Sequence, residues 1–158
     1  MDCVLSHMAL MLMDNIDQVL GEIRRVLRSE GHVAAVVGRT FLLGEVNEVF
    51  LDVFRPIARE DLPHLSFGDS RTRTEAGWTE LLKPHFKEVL IEDVDVGWEP
   101  TPEQLWQSLT ETYDIDRLSA NARERLRSEL LRAVSYLRQS DGKIKTGWGL
   151  RLVRAQAA

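Results

Sequence analysis

The 158-residue sequence contains one cysteine, Cys3, so no internal disulfide can form, and no Cys/His cluster has the spacing of a zinc site. A lone thiol with no His or Asn partner signalled reads as a small buried hydrophobe in a strand rather than a nucleophile. Long apolar runs are also missing. The longest near the start, ALMLM at 9–13, is too short to cross a membrane and is followed by Asp14. No basic start and small-residue cleavage site mark a signal peptide. Nor is there an excess of basic charge. Twenty Lys and Arg stand against 25 Asp and Glu, a net charge of −5, which argues against a general phosphate-backbone binder. Internal repeats and low-complexity segments are absent. These deficits leave a globular, cytoplasmic domain with no nucleic-acid and no membrane partner as the expectation.

What is present is an alternation of strand and helix signals. DCVLS (Asp2 to Ser6) reads as a short strand. Asp14 is placed to cap a helix in which Ile16, Val19, Leu20, Ile23, Val26 and Leu27 recur at helical spacing. Glu22, Arg24, Arg25 and Arg28 occupy much of the other face, and Gly31 can supply the closing turn. HVAAVVG (His32 to Gly38) is continuously apolar, as expected of a parallel strand buried on both faces. Strand, helix and strand form a right-handed βαβ unit.

A second helix is predicted from Leu42, Val46, Val49, Phe50, Val53, Phe54 and Ile57, ending or kinking near Pro56. Residues 59–71 read as a loop, and Thr72 to Glu75 fit a capping box for a short helix through Leu82. Phe86 to Trp98 read as a strand whose alternation breaks at Glu92 and Asp93, a sign of a bulge or an edge. Thr101, Pro102 and Gln104 open another helix, and Ser119 the longest one, with Leu126, Leu130, Val134 and Leu137 as its stripe. In that helix Arg123 to Arg132 read as a solvated face with an Arg125–Glu129 pair. After a turn at Asp141-Gly142, alternation from Ile144 predicts a half-buried terminal strand, most simply antiparallel to 86–98. The expected fold class is α/β: a partial, mixed sheet of about four strands with helices packed on it. It is read as one domain: a βαβ unit at 1–38, a helical segment at 41–83, a strand at 86–98, a helical insertion at 101–140 and a terminal strand at 143–155.

The stretch DCVLSHMALMLMDNIDQVLGEIRRVLRSEGHVAAVV resembles the second half of the class I S-adenosylmethionine-dependent methyltransferases, type 11-like. Glu22, Arg25, Val26, Leu27 and Gly31 match the family's helix and turn, with Ser29-Glu30 in place of its usual Pro-Gly. TRTEAGWTELLKPHFKEVLIEDV and KIKTGWGLRLVRA resemble the later helix, strand and terminal hairpin. The resemblance implies a Rossmann-like sheet and S-adenosylmethionine as cofactor. It also implies that the Gly-x-Gly-x-Gly loop which holds that cofactor is not in these residues. Gly147 and Gly149, the one close glycine pair, lie in the terminal strand and read as a bulge or close packing.

By the same resemblance Ser6, His7 and Met8 would face the methionine end of the cofactor and the methyl acceptor. His7 is the candidate base, because its imidazole can accept a proton near neutrality. Arg39 and Thr40 follow the second strand on the ligand side. Trp106 and Tyr113, two helical turns apart, could cover an acceptor pocket, against the plainer reading of core packing. The chain is therefore expected to be the C-terminal part of a methyltransferase for a small-molecule acceptor, inactive without a complementary half. The alternative is a non-catalytic interaction module. In either case the first strand would be an open sheet edge, which favours a homodimer or a chain that supplies the missing half.

Overall fold

The computed structural model describes all residues, Met1–Ala158. Ten regular elements follow in chain order: β1 (Cys3–His7), α1 (Ile16–Val26), β2 (His32–Thr40), α2 (Glu45–Asp61), α3 (Glu75–Leu82), β3 (Phe86–Trp98), α4 (Pro102–Thr110), α5 (Tyr113–Asp116), α6 (Ala120–Ala133) and β4 (Thr146–Ala157). Short 3-10 turns lie at Leu10–Leu12, Ser70–Arg73 and Val134–Leu137. The strands form one mixed sheet in the order β1-β2-β4-β3. β1 and β2 are parallel, with Cys3 opposite His32 and His7 opposite Val36. β4 is antiparallel to β2 and sits between β2 and β3. β1 and β3 are therefore the two edges, as the broken alternation at Glu92 and Asp93 suggested for β3.

The chain divides into two compact units, each with its own core. The first comprises Met1–Thr40, Ser66–Asp95 and Gly149–Ala158; the second comprises Phe41–Leu65 and Val96–Trp148. In the first unit Ile16 and Leu20 of α1 and Trp78, Leu81 and Leu82 of α3 pack with Val33, Ala35 and Val37 of β2 and with Val153 and Ala155 of β4. Trp78 is fully buried, and its indole N–H donates to the Thr72 carbonyl at 2.8 Å, so its one polar atom is satisfied. In the second unit Phe50, Phe54, Leu105, Leu109, Ile115, Leu126 and Leu130 form the core. The rings of Phe50 and Phe54 stack there at 5.3 Å.

Several local expectations are corrected. Asp14 does not cap α1. The N-cap is Asn15, without a side-chain bond, and the Asp14 carboxylate instead accepts the Gly68 N–H. Gly68 has φ +64°, and a Cβ there would collide with the Met11 carbonyl oxygen, so only glycine lets this loop reach Asp14. The cap of α3 is Thr74, accepting from Gly77, and not Thr72, which is buried with its hydroxyl donating to the Asp69 carbonyl.

Of the end or kink expected at Pro56, the end does not occur. The proline lies inside α2, whose apolar face (Val46, Phe50, Phe54, Ile57) stays buried through the lost backbone bond. Tertiary burial along four turns outweighs one missing hydrogen bond. β2 is not buried on both faces: Val33, Ala35 and Val37 are, whereas Ala34 and Val36 are half-exposed. Cys3 is exposed, not buried, for the same reason. It points to the sheet face that the helices α1 and α3 leave uncovered.

Candidate functional site

Parallel strands bring their carboxyl ends to one side of a sheet, and there the first unit gathers its chemistry. β1 ends at Ser6 and His7, and Met8 follows with its N–H donating to the Val36 carbonyl at 2.8 Å. Met8 has φ +52°, a left-handed conformation that costs a non-glycine residue of order 1–3 kcal/mol. That turn ends the pairing of β1 and sends the chain into the 3-10 turn at Leu10–Leu12. Met11 then folds back so that its Sδ accepts the Gly38 N–H of β2 at 3.0 Å. Met8 and Met11 both come close to Gly38, and the two strand ends are thereby fastened to each other.

His7 is exposed, and Ser6 is half-buried. Both line a shallow hollow of about 460 Å³ on the uncovered sheet face, with Ala34 and Val36 of β2, Leu152 of β4 and the ion-paired Glu92 and Arg154 at its rim. The walls are apolar, and the exposed His7 imidazole is the polar side chain on that face, since Ser6 alternates to the other side of the strand, opposite the buried Ala35. Such a surface can align a small apolar or amphipathic molecule and offer one proton acceptor. The carboxylate beside it, Glu92, is bound to Arg154 at 2.9 Å.

Arg39 lies within β2, not after it. Its guanidinium pairs with Asp95 and stands 3.6 Å from Asp93, both on β3. Asp93 is in turn held by Arg151 of β4 through two bonds of 2.7 and 3.0 Å. Arg151 is buried and also donates to the Arg73 carbonyl. The Arg151 guanidinium, foremost, holds the Asp93 carboxyl below the ordinary carboxylate range, with Arg39 adding to the effect. Four charges thus close the strand ends as a network. The sequence reading picked out Arg39 but missed Asp93, Asp95 and Arg151. The alternation DVDV at 93–96 was their signal, since acids at every second position share one face of a strand. Beside this network the β2–β4 register shifts between Gly38 and Thr40, and a Cβ on Gly149 would collide with the Thr40 side chain. Gly149 is therefore a close-packing position.

Trp106 and Tyr113 both belong to the second unit. Trp106, on α4, is partly buried against the core of that unit. Tyr113 opens α5 with 47% of its surface exposed, and the Arg117 guanidinium lies over its ring at 5.3 Å from the centroid. The same unit stacks Trp98 and Trp148 at 6.2 Å.

Residues 1–35 match the model of the methyltransferase-domain family. That segment holds β1, α1 and the start of β2. A solved type II methyltransferase from Anaeromyxobacter dehalogenans superposes on 98% of this chain and 64% of its own, with 18% identity and a TM-score of 0.58. The chain has the methyltransferase fold. The MccD protein superposes likewise, over 99% of this chain and 60% of its own, with 18% identity and a TM-score of 0.50. The chain spans between 33% and 64% of the length of the first three solved structures it matches. No curated protein matches it. The methyltransferase-like chain has no helix long and apolar enough to cross a membrane.

Proposed function

We propose that this chain is the acceptor-side part of an S-adenosylmethionine-dependent methyltransferase that acts on a small molecule. The observation that carries this reading is the turn at Ser6, His7 and Met8, where β1 stops beside the parallel strand β2, in a segment matched by the methyltransferase model. In the bound state the cofactor supplies a methyl group already activated as a sulfonium. The residues of this chain therefore need to do little beyond alignment. His7 sits on the uncovered face where it can orient an acceptor and take the proton that the acceptor loses. Ala34, Val36 and Leu152 give an acceptor an apolar floor to lie on. Arg39 is committed to Asp93 and Asp95, so its part is to hold the strand ends in position rather than to bind substrate by itself.

The nucleotide part of the cofactor needs a glycine-rich loop that these residues do not contain. The reading therefore makes the chain inactive by itself and active once a complementary half is supplied, in a cytoplasmic setting where Cys3 stays reduced. Isothermal titration tests it. The purified chain is expected to give no heat with S-adenosylmethionine, and a mixture with a chain bearing the glycine-rich half is expected to bind and to transfer methyl groups. Micromolar binding by the chain alone would overturn the claim that it lacks the nucleotide site.

A further inference from the structure

Asp141-Gly142 marks a turn, and nothing in the methyltransferase likeness gives that turn a part. It is the one Asp-Gly pair in the chain, which has no Asn-Gly. The Gln139 carbonyl accepts the Gly142 N–H at 3.0 Å, the Gln139 N–H donates to the Lys143 carbonyl at 2.8 Å, and Arg138 bridges to Ile144. Gly142 has φ +82°, the left-handed position that closes so short a hairpin. Asp141 is exposed, and its Oδ1 accepts the N–H of Lys143, two residues on, at 3.0 Å. This is an Asx turn. It folds the carboxyl forward over the peptide bond to Gly142, which brings Cγ close to the Gly142 nitrogen. Gly142 adds no side chain, and nothing lies within 4 Å of where one would be.

We infer that Asp141 is a self-modification site, at which the folded chain isomerises to isoaspartate. The Gly142 nitrogen gives its proton to solvent and attacks Cγ of the protonated carboxyl. A C–N bond forms, the hydroxyl leaves as water, and a cyclic imide results. Water then opens the imide. Addition at the side-chain carbonyl restores aspartate. Addition at the main-chain carbonyl breaks the original peptide bond, so the chain runs through Cβ and Cγ and the α-carboxylate is free. Water is released and taken up again, and no oxidant or other reactant enters. The held approach of nitrogen to Cγ is what the turn contributes. The Gly142 N–H must first leave the Gln139 carbonyl, and in an exposed turn water takes its place.

Asp69 is the built-in comparison. Its carboxylate also accepts an N–H two residues on, that of Arg71 at 2.8 Å. But Ser70 follows it, and the Arg71 guanidinium grips the same carboxylate at 2.7 Å. That grip, foremost, holds the Asp69 carboxyl below its ordinary range, and an ionised carboxylate resists attack by nitrogen. The ionic partner of Asp141, the exposed Lys143 ammonium, stands 3.8 Å away. The product at Asp141 has a main chain longer by a methylene, so the two bonds of Gln139 no longer close together. Just beyond, the fully buried Ile144 donates its N–H to the Pro100 carbonyl at 2.8 Å, and the buried Thr146 donates its hydroxyl to the Leu43 carbonyl at 2.9 Å. Isomerisation therefore loosens the entry to β4 within the second unit. It proceeds whether or not the chain takes part in methyl transfer.

Prolonged incubation of the full chain at neutral pH, followed by peptide mapping with mass spectrometry, tests it. The peptide that holds Asp141 is expected to gain a second chromatographic peak of unchanged mass, resistant to an endoproteinase that cuts before aspartate. That peak should grow no more slowly than in a free peptide of residues 138–145, while the peptide that holds Asp69 stays single. Asp141→Glu, which would need a larger ring, should lose the second peak at unchanged circular dichroism. The isomerised fraction should lose hydrogen-exchange protection at Ile144 and Thr146. A single Asp141 peak in a chain whose free peptide converts overturns the proposal, since the turn then holds the reacting atoms apart. Conversion of Asp69 at the same rate overturns it too, because unfolded molecules would then be the ones that react. So does a second peak that Asp141→Glu retains, or an isomerised fraction that keeps full protection.

Discussion

Asp93 shows how much one carboxylate can hold. It accepts two bonds from the buried Arg151, which would otherwise keep only the Arg73 carbonyl as acceptor. Replacing it by alanine leaves a guanidinium desolvated and under-bonded, a loss of roughly 1–3 kcal/mol near neutral pH. The effect has a sign in pH. The folded Asp93 carboxyl titrates below its ordinary range because of Arg151, so the native state gains stability above the unfolded carboxylate value of about 4. That gain disappears as pH falls through the lower folded value. Thermal melts of the wild type and Asp93→Ala are expected to differ most above about pH 5 and to converge in acid. A difference that persisted unchanged at low pH would mean that the charge is not what the variant loses. The sequence made the acids of β3 visible but not this role. Nothing local in DVDV says that an arginine nearly sixty residues later lies across from it.

Elements whose signals are local were legible, and those whose signals depend on a neighbour were not. α4 is the clear case. Thr101 accepts from the Gln104 N–H, and the Gln104 side chain accepts from the Thr101 N–H, with Pro102 at the first turn. Every group of that capping box lies within four residues, so the sequence predicts it directly. Thr101→Ala is expected to cost about 1 kcal/mol and to raise the amide exchange rates of 102–110 before those of α6. Protection of α4 left unchanged in that variant would show that burial of Leu105 and Leu109 alone holds its first turn. Asp14 is the converse. It had the chemistry of a cap, but its carboxylate was taken by the Gly68 N–H from a loop 54 residues away. Pro56 likewise announced a helix end or a kink, and packing of Phe50, Phe54 and Ile57 overrode the end. The strand β2 misled for a related reason: its apolar run implied two covered faces, and only one is covered by this chain's own helices.

At the scale of the molecule the sequence held the order of elements and the parallel first pair, but not the division into two cores. That division depends on which helices return to which residues. α2 and α6, far apart in the chain, pack on each other, with Leu126 and Leu130 against Phe50, Phe54 and Ile57 in one cluster. Leu20, Val33, Trp78 and Val153 form the other. Asp61 reinforces the α2–α6 connection: its carboxylate accepts both the N–H and the hydroxyl of Ser119, the α6 cap, at 2.8 and 2.6 Å. Leu126 is fully buried, so Leu126→Ala leaves a cavity and is expected to cost about 2–5 kcal/mol. Because its contacts lie within its own cluster, the loss of exchange protection should appear first in Phe41–Leu65 and Val96–Trp148. Hydrogen exchange read by mass spectrometry resolves the two sets of peptides. Equal loss in β1, β2 and α3 would mean that the two cores open as one cooperative body, and that the contacts within each do not set the unit of unfolding.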